Sequence, residues 1–311
     1  MVEIALVGGR GDWHAGRLAA AFTAAGAHCR RFALDRAGFD LTAEPTAGLH
    51  LPGFADRLPD AVLVRNIGGG SFEQVTMRLG VLHALAGLGV VVSNPPTAIE
   101  RCVDKSATSF LLGRAGLPTP PTWACQSLAE AAAIVARETA AGAKVVLKPL
   151  FGARGIGLRL LSAADELPPA ADVAGAFYLQ RFVPPADGVW RDWRVFVVGG
   201  QAVAAMMRVG TGWITNVHQG AACESAEAGG DLGTLSVAAA RAVGATYAGV
   251  DIIRDGDGRC HVLEVNSMPA WSGLQSVTRI DIAATLAADL LARTRATAGP
   301  FGVGLRHRDG A

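Results

Sequence analysis

Glu264 and Asn266 carry side-chain oxygen atoms two residues apart near the end of the chain. The surrounding run, residues 261–266, predicts a strand, and Pro269 would end it. Because side chains alternate between the two faces of a strand, both oxygens would lie on one face. Carboxylate and amide oxygens are ligands that Mg²⁺ and Mn²⁺ accept together with phosphate oxygens. This pair is therefore a candidate metal site.

Asp251 would supply a third oxygen ligand. It lies on the preceding apolar run, and residues 255–258, Asp-Gly-Asp-Gly, form a strong turn signal between the two runs. A hairpin that closes symmetrically on this turn places Asp251 opposite Val262 and on the same face as Glu264, roughly 7–8 Å from it. A shift of one residue would send Asp251 to the other face. A hairpin with solvated acidic side chains is the alternative interpretation.

Lys148 stands at the end of another apolar run, and residues 151–157, Phe-Gly-Ala-Arg-Gly-Ile-Gly, follow it. A further apolar run comes next. This strand–loop–strand order differs from a P-loop, which needs a helix after its glycines. It is similar to a flap whose backbone N–H groups approach phosphate oxygens. An ordinary glycine hairpin is the alternative.

Arg194 and Arg208 begin and end a predicted hairpin about Gly199-Gly200. Their guanidinium groups would lie near each other at its open end, where they could clamp an anion. The loop that follows contains Asn216 and His218. A functional role for His218 competes with the usual state of a loop histidine, which is solvated.

Composition limits the classes of function. The chain has 311 residues, a net charge of +1 and 50% hydrophobic residues, which is enough for two or three packed units. No apolar run approaches the ~20 residues that span a bilayer, and no basic stripe indicates a nucleic-acid partner. The five cysteines are scattered without a Cys-x-x-Cys pair. Together with an N-terminus unlike a signal peptide, this predicts a cytoplasmic protein.

Residues 1–94 predict a small α/β domain with a parallel sheet, because apolar strands alternate with helical patterns. The glycine turn after the first strand lacks G-x-G-x-x-G spacing, which argues against a dinucleotide-binding dehydrogenase domain. Arg65, Asn66 and Arg78 could bind an anionic acceptor near a strand end. Solvated surface arginines are the alternative. Prolines at 95 and 96 mark a domain boundary.

The order of the motifs is more specific than any one of them. In sequence they are Asp104-Lys105, Leu117-Pro118-x-Pro120, Val146-Leu147-Lys148-Pro149, the glycine flap, Gln180-x-Phe182-Val183, Asp192-x-Arg194, Arg208, Asn216-x-His218-x-Gly220, Gly249-Val250-Asp251 and Glu264-Val265-Asn266. This set, over roughly residues 60–290, resembles the ATP-grasp superfamily and, within it, the RimK-like glutamate ligases.

The resemblance implies an α/β (α+β) fold of three domains. They would be an N-terminal α/β domain at 1–94, a central domain with the glycine-rich lid at 95–184, and a C-terminal domain with the metal site at 185–297. ATP would lie between the last two. Residues 298–311 would form a flexible tail.

The resemblance also implies a role for each motif residue. Lys105 and Lys148 would bind ATP phosphates under the flap. The nucleotide would further contact Gly152, Gly155, Gln180, Arg181, Phe182, Val183, Asp192, Asn216 and His218. Arg208 and Arg194 would be catalytic, and Asp251, Glu264 and Asn266 would hold two Mg²⁺ or Mn²⁺ ions. Two departures stand out: Arg181 replaces a glutamate common in the hinge, and Ala153-Arg154 replace a common Ser-Gln in the flap.

The implied reaction is an ADP-forming ligation. Transfer of the γ-phosphoryl group of ATP to a carboxylate makes an acyl phosphate, which an amine then attacks to form an amide. The stretch Val64–Gly70 is similar to ligases that add L-glutamate to tetrahydromethanopterin-like pterins. A protein C-terminal tail, other amino acid ligations and an inactive ATP-binding switch are the alternatives. The resemblance is also compatible with a homo-oligomer.

Overall fold

The computed structural model describes residues 1–9, 11–152 and 155–297. In chain order its first elements are β1 (Glu3–Val7), α1 (Trp13–Ala24), β2 (His28–Phe32), β3 (Gly38–Phe39), β4 (Leu49–His50), β5 (Ala61–Val64), α2 (Phe72–Gly87), β6 (Val91–Ser93), α3 (Pro96–Val103) and α4 (Lys105–Arg114). They continue as β7 (Thr122–Cys125), α5 (Leu128–Ala140), β8 (Val145–Lys148), β9 (Arg159–Leu161) and β10 (Phe177–Arg181). The last are β11 (Arg191–Val198), β12 (Gln201–Val209), β13 (Ala222–Ala226), α6 (Gly230–Val243), β14 (Tyr247–Arg254), β15 (Cys260–Asn266), α7 (Ser272–Val277) and α8 (Ile282–Thr297).

The chain divides into two compact units. One contains residues from Met1 to Pro96 together with the segment that begins at Asp281, and the other runs from Thr97 to Ile280. The mixture of helices and sheets confirms the predicted α/β (α+β) class. No helix among the described residues is both long enough and apolar enough to cross a bilayer.

The first unit is built on a parallel sheet of strand order β2-β1-β5-β6. Strand β5 is buried along its whole length, as expected for a strand covered by helices on both faces. Asp12 caps α1, and Ser71 forms a capping box with Gln74 at the start of α2. The parallel sheet predicted for this region is therefore present.

Helix α8 packs against α1 and against β5 and β6 of this sheet. Its buried side chains include Leu286 and Leu290, four residues apart on one face. The domain boundaries predicted from the sequence place this helix in the C-terminal domain at 185–297. In the structure it instead packs against the N-terminal sheet. An apolar stripe along a helix indicates that the helix packs against another element, but it does not indicate which sheet that element belongs to. The division into three domains stays a prediction, and the tail at 298–311 lies outside the described residues.

The second unit contains two antiparallel sheets. The smaller has the order β7-β10-β8-β9 and packs against α5. The larger has the order β13-β12-β11-β14-β15. Helix α6 covers one face of the larger sheet, where Val195, Val250 and Val262 lie in the core. Polar side chains of the same strands occupy the opposite face, as alternation along each strand requires.

The hairpin of β14 and β15 differs from its predicted register. The turn closes with the backbone N–H of Asp255 donating to the carbonyl of Arg259, which moves the pairing by one residue. An irregularity after Asp251 moves it by another, so that Asp251 pairs directly with Glu264. The predicted pairing of Asp251 with Val262 is wrong, and Val262 points into the core instead. The two shifts add up to two residues, which is one full period of side-chain alternation, so Asp251 and Glu264 still share a face.

Candidate active site

A cleft in the second unit brings together most of the site residues expected from the sequence. Those that line it are Lys105, Lys148, Gly152, Gly155, Gln180, Arg181, Phe182, Val183, Asp192, Arg208, Asn216, Asp251 and Glu264. They come from both sheets of the unit, from the start of α4 and from the loops that follow β8 and β12. The spacing along the chain is large, so only the antiparallel pairing of these strands makes the residues neighbours.

Two aspartates and two arginines form a buried charged cluster, which we define as Asp192, Arg194, Arg208 and Asp251. Arg208 is 2% exposed; its Nε donates to Oδ1 of Asp192 at 2.7 Å, and its Nη2 donates to Oδ2 of the same residue. Nη2 of Arg208 also lies 3.0 Å from Oδ2 of Asp251. Arg194 donates from Nε and Nη2 to the two oxygens of Asp251, each at 2.7 Å. Such fork-to-fork pairs fix the orientation of both partners.

The cluster controls ionisation at its centre. Burial alone would raise the pKa of Asp251, but Arg194 and Arg208 lower that pKa to about 2. Burial also acts on Asp192, where it raises the pKa against the opposing effect of Arg208. Asp251 is therefore a carboxylate at neutral pH, with its charge shared between two guanidinium groups.

Glu264 and Asn266 complete the polar face of the hairpin. Nδ2 of Asn266 donates to Oε1 of Glu264 at 2.9 Å, which points the amide oxygen of Asn266 the other way. Within the described residues, Oε2 of Glu264 and Oδ1 of Asn266 make no hydrogen bond. Asn266 lines a small pocket that also contains Glu264 and Lys105.

The residue types of this set fit Mg²⁺, because two carboxylates and an amide supply only hard oxygen ligands. No group of three or more His, Cys, Asp or Glu residues that could hold a metal ion occurs in the part of the chain that is described. Mg²⁺ keeps several ligands from water and phosphate, so a partial protein set is the usual arrangement for it. Because Asp251 already accepts bonds from two arginines, we infer that phosphate oxygens must supply much of the shell.

Two lysines stand over the charged end of the cleft. Nζ of Lys148 donates to Oε1 of Gln180 at 2.6 Å, and Nε2 of Gln180 donates to Thr122. Burial lowers the pKa of Lys148 to about 8, although Glu264 acts in the opposite direction. Burial likewise lowers the pKa of Lys105. Both ammonium groups are poorly solvated, so an incoming anion would stabilise their charged form.

The structure fixes the flap at two points, namely at its start near Gly152 and at Gly155. Nζ of Lys105 donates to the carbonyls of Leu150 and Gly152 at 3.3 and 3.0 Å. Gly155 has a φ of +71°, and a Cβ atom there would lie 2.6 Å from Oδ1 of Asn216. Only glycine satisfies both conditions. Ala153 and Arg154, where the sequence departs from the common pattern, lie outside the described residues.

The hinge, residues 180–183, forms the other end of the cleft. The backbone N–H of Arg181 donates to the carbonyl of Pro121, and that of Phe182 donates to the carbonyl of Lys144. The side chain of Arg181 makes two bonds to Glu138 on α5. The hinge is thus fixed through its backbone and through one charged side chain.

The sequence missed the apolar walls of the cleft. Trp213 and Ile214 line it from the loop after β12, and Ile253 and Leu263 line it from the hairpin. The Trp213 ring lies 6.1 Å from that of Phe182 in an edge-to-face arrangement. A tryptophan in the Gly-Thr-Gly-Trp segment at 210–213 was an available signal, since a large aromatic in a glycine loop often contacts a ligand.

Three of the expected residues do not line the cleft, and one of them, Asn266, lines the small neighbouring pocket instead. Arg194 is not among its lining residues, because its side chain holds both oxygens of Asp251. His218 is exposed on the short 3-10 turn Val217–Gln219. The histidine belongs to the same loop as Asn216, but its side chain is not part of the cleft.

Comparison with known proteins identifies the family to which these site residues belong. The RimK-like ATP-grasp domain family matches residues 102–290. The tetrahydromethanopterin:alpha-L-glutamate ligase of Methanococcus maripaludis is 38% identical over 229 residues, covering 72% of this chain and 76% of the relative. The protein of the same name from Methanocaldococcus jannaschii is 38% identical, over 74% of this chain and 78% of the relative. A probable alpha-L-glutamate ligase of Trichodesmium erythraeum is 30% identical, over 68% and 74%.

Solved structures extend the comparison to nearly the whole chain. The ATP-grasp ligase PsnB with its minimal precursor is 25% identical, with a TM-score of 0.73 over 94% of this chain and 99% of the other. A second PsnB structure, with a TM-score of 0.73 over 94% of this chain and 98% of the other, also contains Mg and ADP. The family match covers the lysines, the flap, the hinge, the charged cluster and the hairpin described above. The chain belongs to the RimK-like ATP-grasp family of ADP-forming ligases.

Proposed function

We propose that this protein uses ATP to join L-glutamate, through an amide bond, to a carboxylate of a tetrahydromethanopterin-like pterin. The observation that carries the proposal is the pairing of Asp251 with Glu264 beside Arg208, in a cleft that Lys105 and Lys148 also line. The names of the relatives support both the amino acid and the acceptor.

The charged end of the cleft suits phosphoryl transfer. Lys105 and Lys148 would bind the phosphates, and Arg208, whose Nη1 makes no bond within the described chain, would stabilise the transferred group. Asp251, Glu264 and Asn266 would hold two ions, either Mg²⁺ or Mn²⁺. When bound, the metal neutralises phosphate charge. Arg194 would position Asp251 rather than contact the substrate.

The proposed reaction consists of two successive displacement steps. An oxygen of the acceptor carboxylate attacks the γ-phosphorus, and the bond to the leaving oxygen of ADP breaks. The amine of L-glutamate then attacks the acyl carbon, loses a proton, and expels inorganic phosphate. Glycines of the flap would cover the intermediate and exclude water, since hydrolysis would waste it. The chain supplies positioning and charge, so no protein nucleophile is needed.

The apolar side chains beside the hinge would bind the nucleoside part of ATP. Trp213, Phe182 and Leu263 line the cleft beside the hinge, where a purine would be stacked and its edge would face the backbone. His218 is left without a nucleotide contact in this proposal, because it is exposed.

The test is ADP and phosphate release with ATP, Mg²⁺, L-glutamate and a panel of acceptors. We expect release with a reduced pterin that carries a terminal carboxylate, with a product heavier by one glutamyl residue. Replacing L-glutamate with D-glutamate is the control and should abolish the product. Turnover that needs no added amino acid would contradict the proposal.

A peptide acceptor is the second candidate, because PsnB has been solved with precursor peptides. The same assay distinguishes the two. Glutamate transfer to a peptide C-terminus, with none to the pterin, would establish this alternative.

A further inference from the structure

Gln180 lies on the cleft face of the smaller sheet, beside Lys148. On β10 it stands directly opposite Thr122 of β7 on one side and Val146 of β8 on the other. Directly paired residues project to the same face of a sheet, and so do residues two apart on one strand. Val146, Lys148 and Gln180 all line the cleft, in agreement with this placement. The amide of Gln180 and the ammonium group of Lys148 are therefore on the same side of the sheet.

Both ends of the Gln180 amide are hydrogen-bonded, and the side chain is 2% exposed. Its Oε1 accepts from Nζ of Lys148 at 2.6 Å, and its Nε2 donates to Oγ1 of Thr122 at 3.1 Å. The hydroxyl of Thr122 donates to the carbonyl of Pro120 at 2.8 Å, so its oxygen is left to accept. A lysine can only donate. The two neighbours therefore determine that the oxygen of the amide faces the lysine.

The position of the Lys148 ammonium group depends on this contact. Within the described part of the chain, the bond to Gln180 is the one hydrogen bond that Nζ makes. Burial has the largest effect on the pKa of Lys148 and lowers it to about 8, while Glu264 and Asp251 act to raise the pKa and Lys105 acts to lower it. A lysine side chain is long and flexible, so a short bond to a fixed acceptor decides where its charge lies.

We propose that Gln180 positions Lys148 for the phosphates of ATP and acts on the nucleotide through this lysine. The inference rests on the proposed function in one respect, namely that ATP binds in this cleft with its phosphates at Lys148. Gln180 is a positioning residue in this account. An amide suits the role because it accepts a bond without adding a charge, whereas a carboxylate in the same place would compete with phosphate for the ammonium group.

The first experiment is a double-mutant cycle on ATP binding, which does not depend on finding the acceptor. Affinity is measured by calorimetry with Mg²⁺ present, for the parent, Gln180→Met, Lys148→Met and the double variant. We expect each single substitution to lower the affinity by about tenfold or more, and the double variant to match Lys148→Met within about twofold. If the two losses multiply in the double variant, Gln180 acts independently of the lysine and the inference is wrong.

The pH dependence of ATP affinity separates positioning of the lysine from a general loss of structure. Gln180→Met removes the acceptor of the ammonium group, so the pKa of Lys148 should fall and the loss of affinity should begin at lower pH than in the parent. Gln180→Glu places a negative charge beside the ammonium group, so that pKa should rise and the loss should begin at higher pH. We expect shifts of about one pH unit in opposite directions. Shifts in the same direction, or profiles equal to that of the parent, would overturn the inference.

Tyr178→Phe is the matched control for a lost hydrogen bond on the same strand. Tyr178 is buried, it lies two residues before Gln180 on the same face of β10, and its hydroxyl is bonded to Oγ of Ser109 at 2.7 Å. The variant should keep the ATP affinity of the parent within about twofold and its pH profile. A loss as large as that of Gln180→Met would contradict a specific role for Gln180.

Gln180→Glu keeps the inference testable if Gln180→Met does not fold. The upward shift of the pH profile is then measured against the parent alone, and its absence would contradict the inference. Failure of the parent to bind ATP at all would instead contradict the proposed function.

Discussion

The charged end and the hinge end of the cleft differ in where their charged side chains lie. At the charged end, three cations and three carboxylates line the cleft, namely Lys105, Lys148, Arg208, Asp192, Asp251 and Glu264. At the hinge end, the charged side chain is Arg181, and Glu138 draws it toward α5. The difference follows from the two parts of the proposed ligand, because a triphosphate needs cations and a base needs apolar walls with fixed backbone groups.

The two ends also differ in how they tolerate change. The charged cluster is buried and its members share partners, so removing one charge leaves another uncompensated. The hinge is held mainly by backbone bonds to Pro121 and Lys144, which side-chain substitution does not remove. We therefore expect stability and activity to be linked within the charged cluster and to be separable at Glu264 and at the hinge.

Asp251→Asn should have the largest effect. The substitution removes the charge that Arg194 and Arg208 share, so we expect the free energy of unfolding to fall by about 3–5 kcal/mol and turnover to be lost. Denaturant unfolding and ADP release measure the two effects. A loss of turnover with a change below about 1 kcal/mol would show that the arginines do not depend on this carboxylate.

Glu264→Gln should separate activity from stability. Glu264 is only partly buried and, among the described residues, accepts a side-chain bond from Asn266 alone, so we expect the unfolding free energy to change by less than about 1 kcal/mol. Turnover should nevertheless fall on the order of 10²–10³-fold, because the proposed metal site would lose a charged ligand. Isothermal titration with Mg²⁺ and ADP provides a second readout. Unchanged Mg²⁺-dependent ADP binding would remove Glu264 from the metal site.

Lys148 should make ATP affinity depend on pH. Its pKa is lowered to about 8 in the free protein, so above that pH it must take up a proton to pair with phosphate. We expect affinity to be constant below about pH 7 and to fall by up to about tenfold for each unit above pH 8. Lys148→Arg, which stays charged, should lose this dependence. The same slope in both proteins would assign the titration to another group.

His218→Ala should have the smallest effect. Its side chain is exposed and does not line the cleft, so we expect the apparent KM for ATP and the turnover number to change by less than about twofold. Steady-state ADP release is sufficient to measure this. A larger change would indicate that the 216–220 loop moves over the nucleotide.

The sequence predicted which residues meet at the charged end better than it predicted how their strands pair. Alternation along β14 and β15 placed Asp251 and Glu264 on one face, although the actual register includes two one-residue shifts. Turn closure at Asp255 depends on local hydrogen bonds that the Asp-Gly pattern does not specify. The predicted face was correct because the two shifts together move the pairing by two residues, which is one full period of side-chain alternation.

The walls and the partners of the hinge could not be predicted from the sequence. Glu138 and Arg181 are 43 residues apart and meet only because α5 packs against the sheet that contains β10. Trp213 lies in a loop whose path no periodic pattern describes. The packing of helix α8 could not be predicted for the same reason. Its apolar face is compatible with either unit, and only the structure shows that it packs against β5 and β6.

The most direct test of the account follows oxygen from the acceptor. A pterin acceptor with ¹⁸O in its terminal carboxylate is incubated with the protein, ATP, Mg²⁺ and L-glutamate, and the inorganic phosphate is analysed by mass spectrometry. An acyl phosphate intermediate predicts one ¹⁸O atom in each phosphate released with the product. Phosphate that contains no ¹⁸O, released while the amide forms, would contradict phosphoryl transfer to the acceptor and with it the role assigned to the charged end of the cleft.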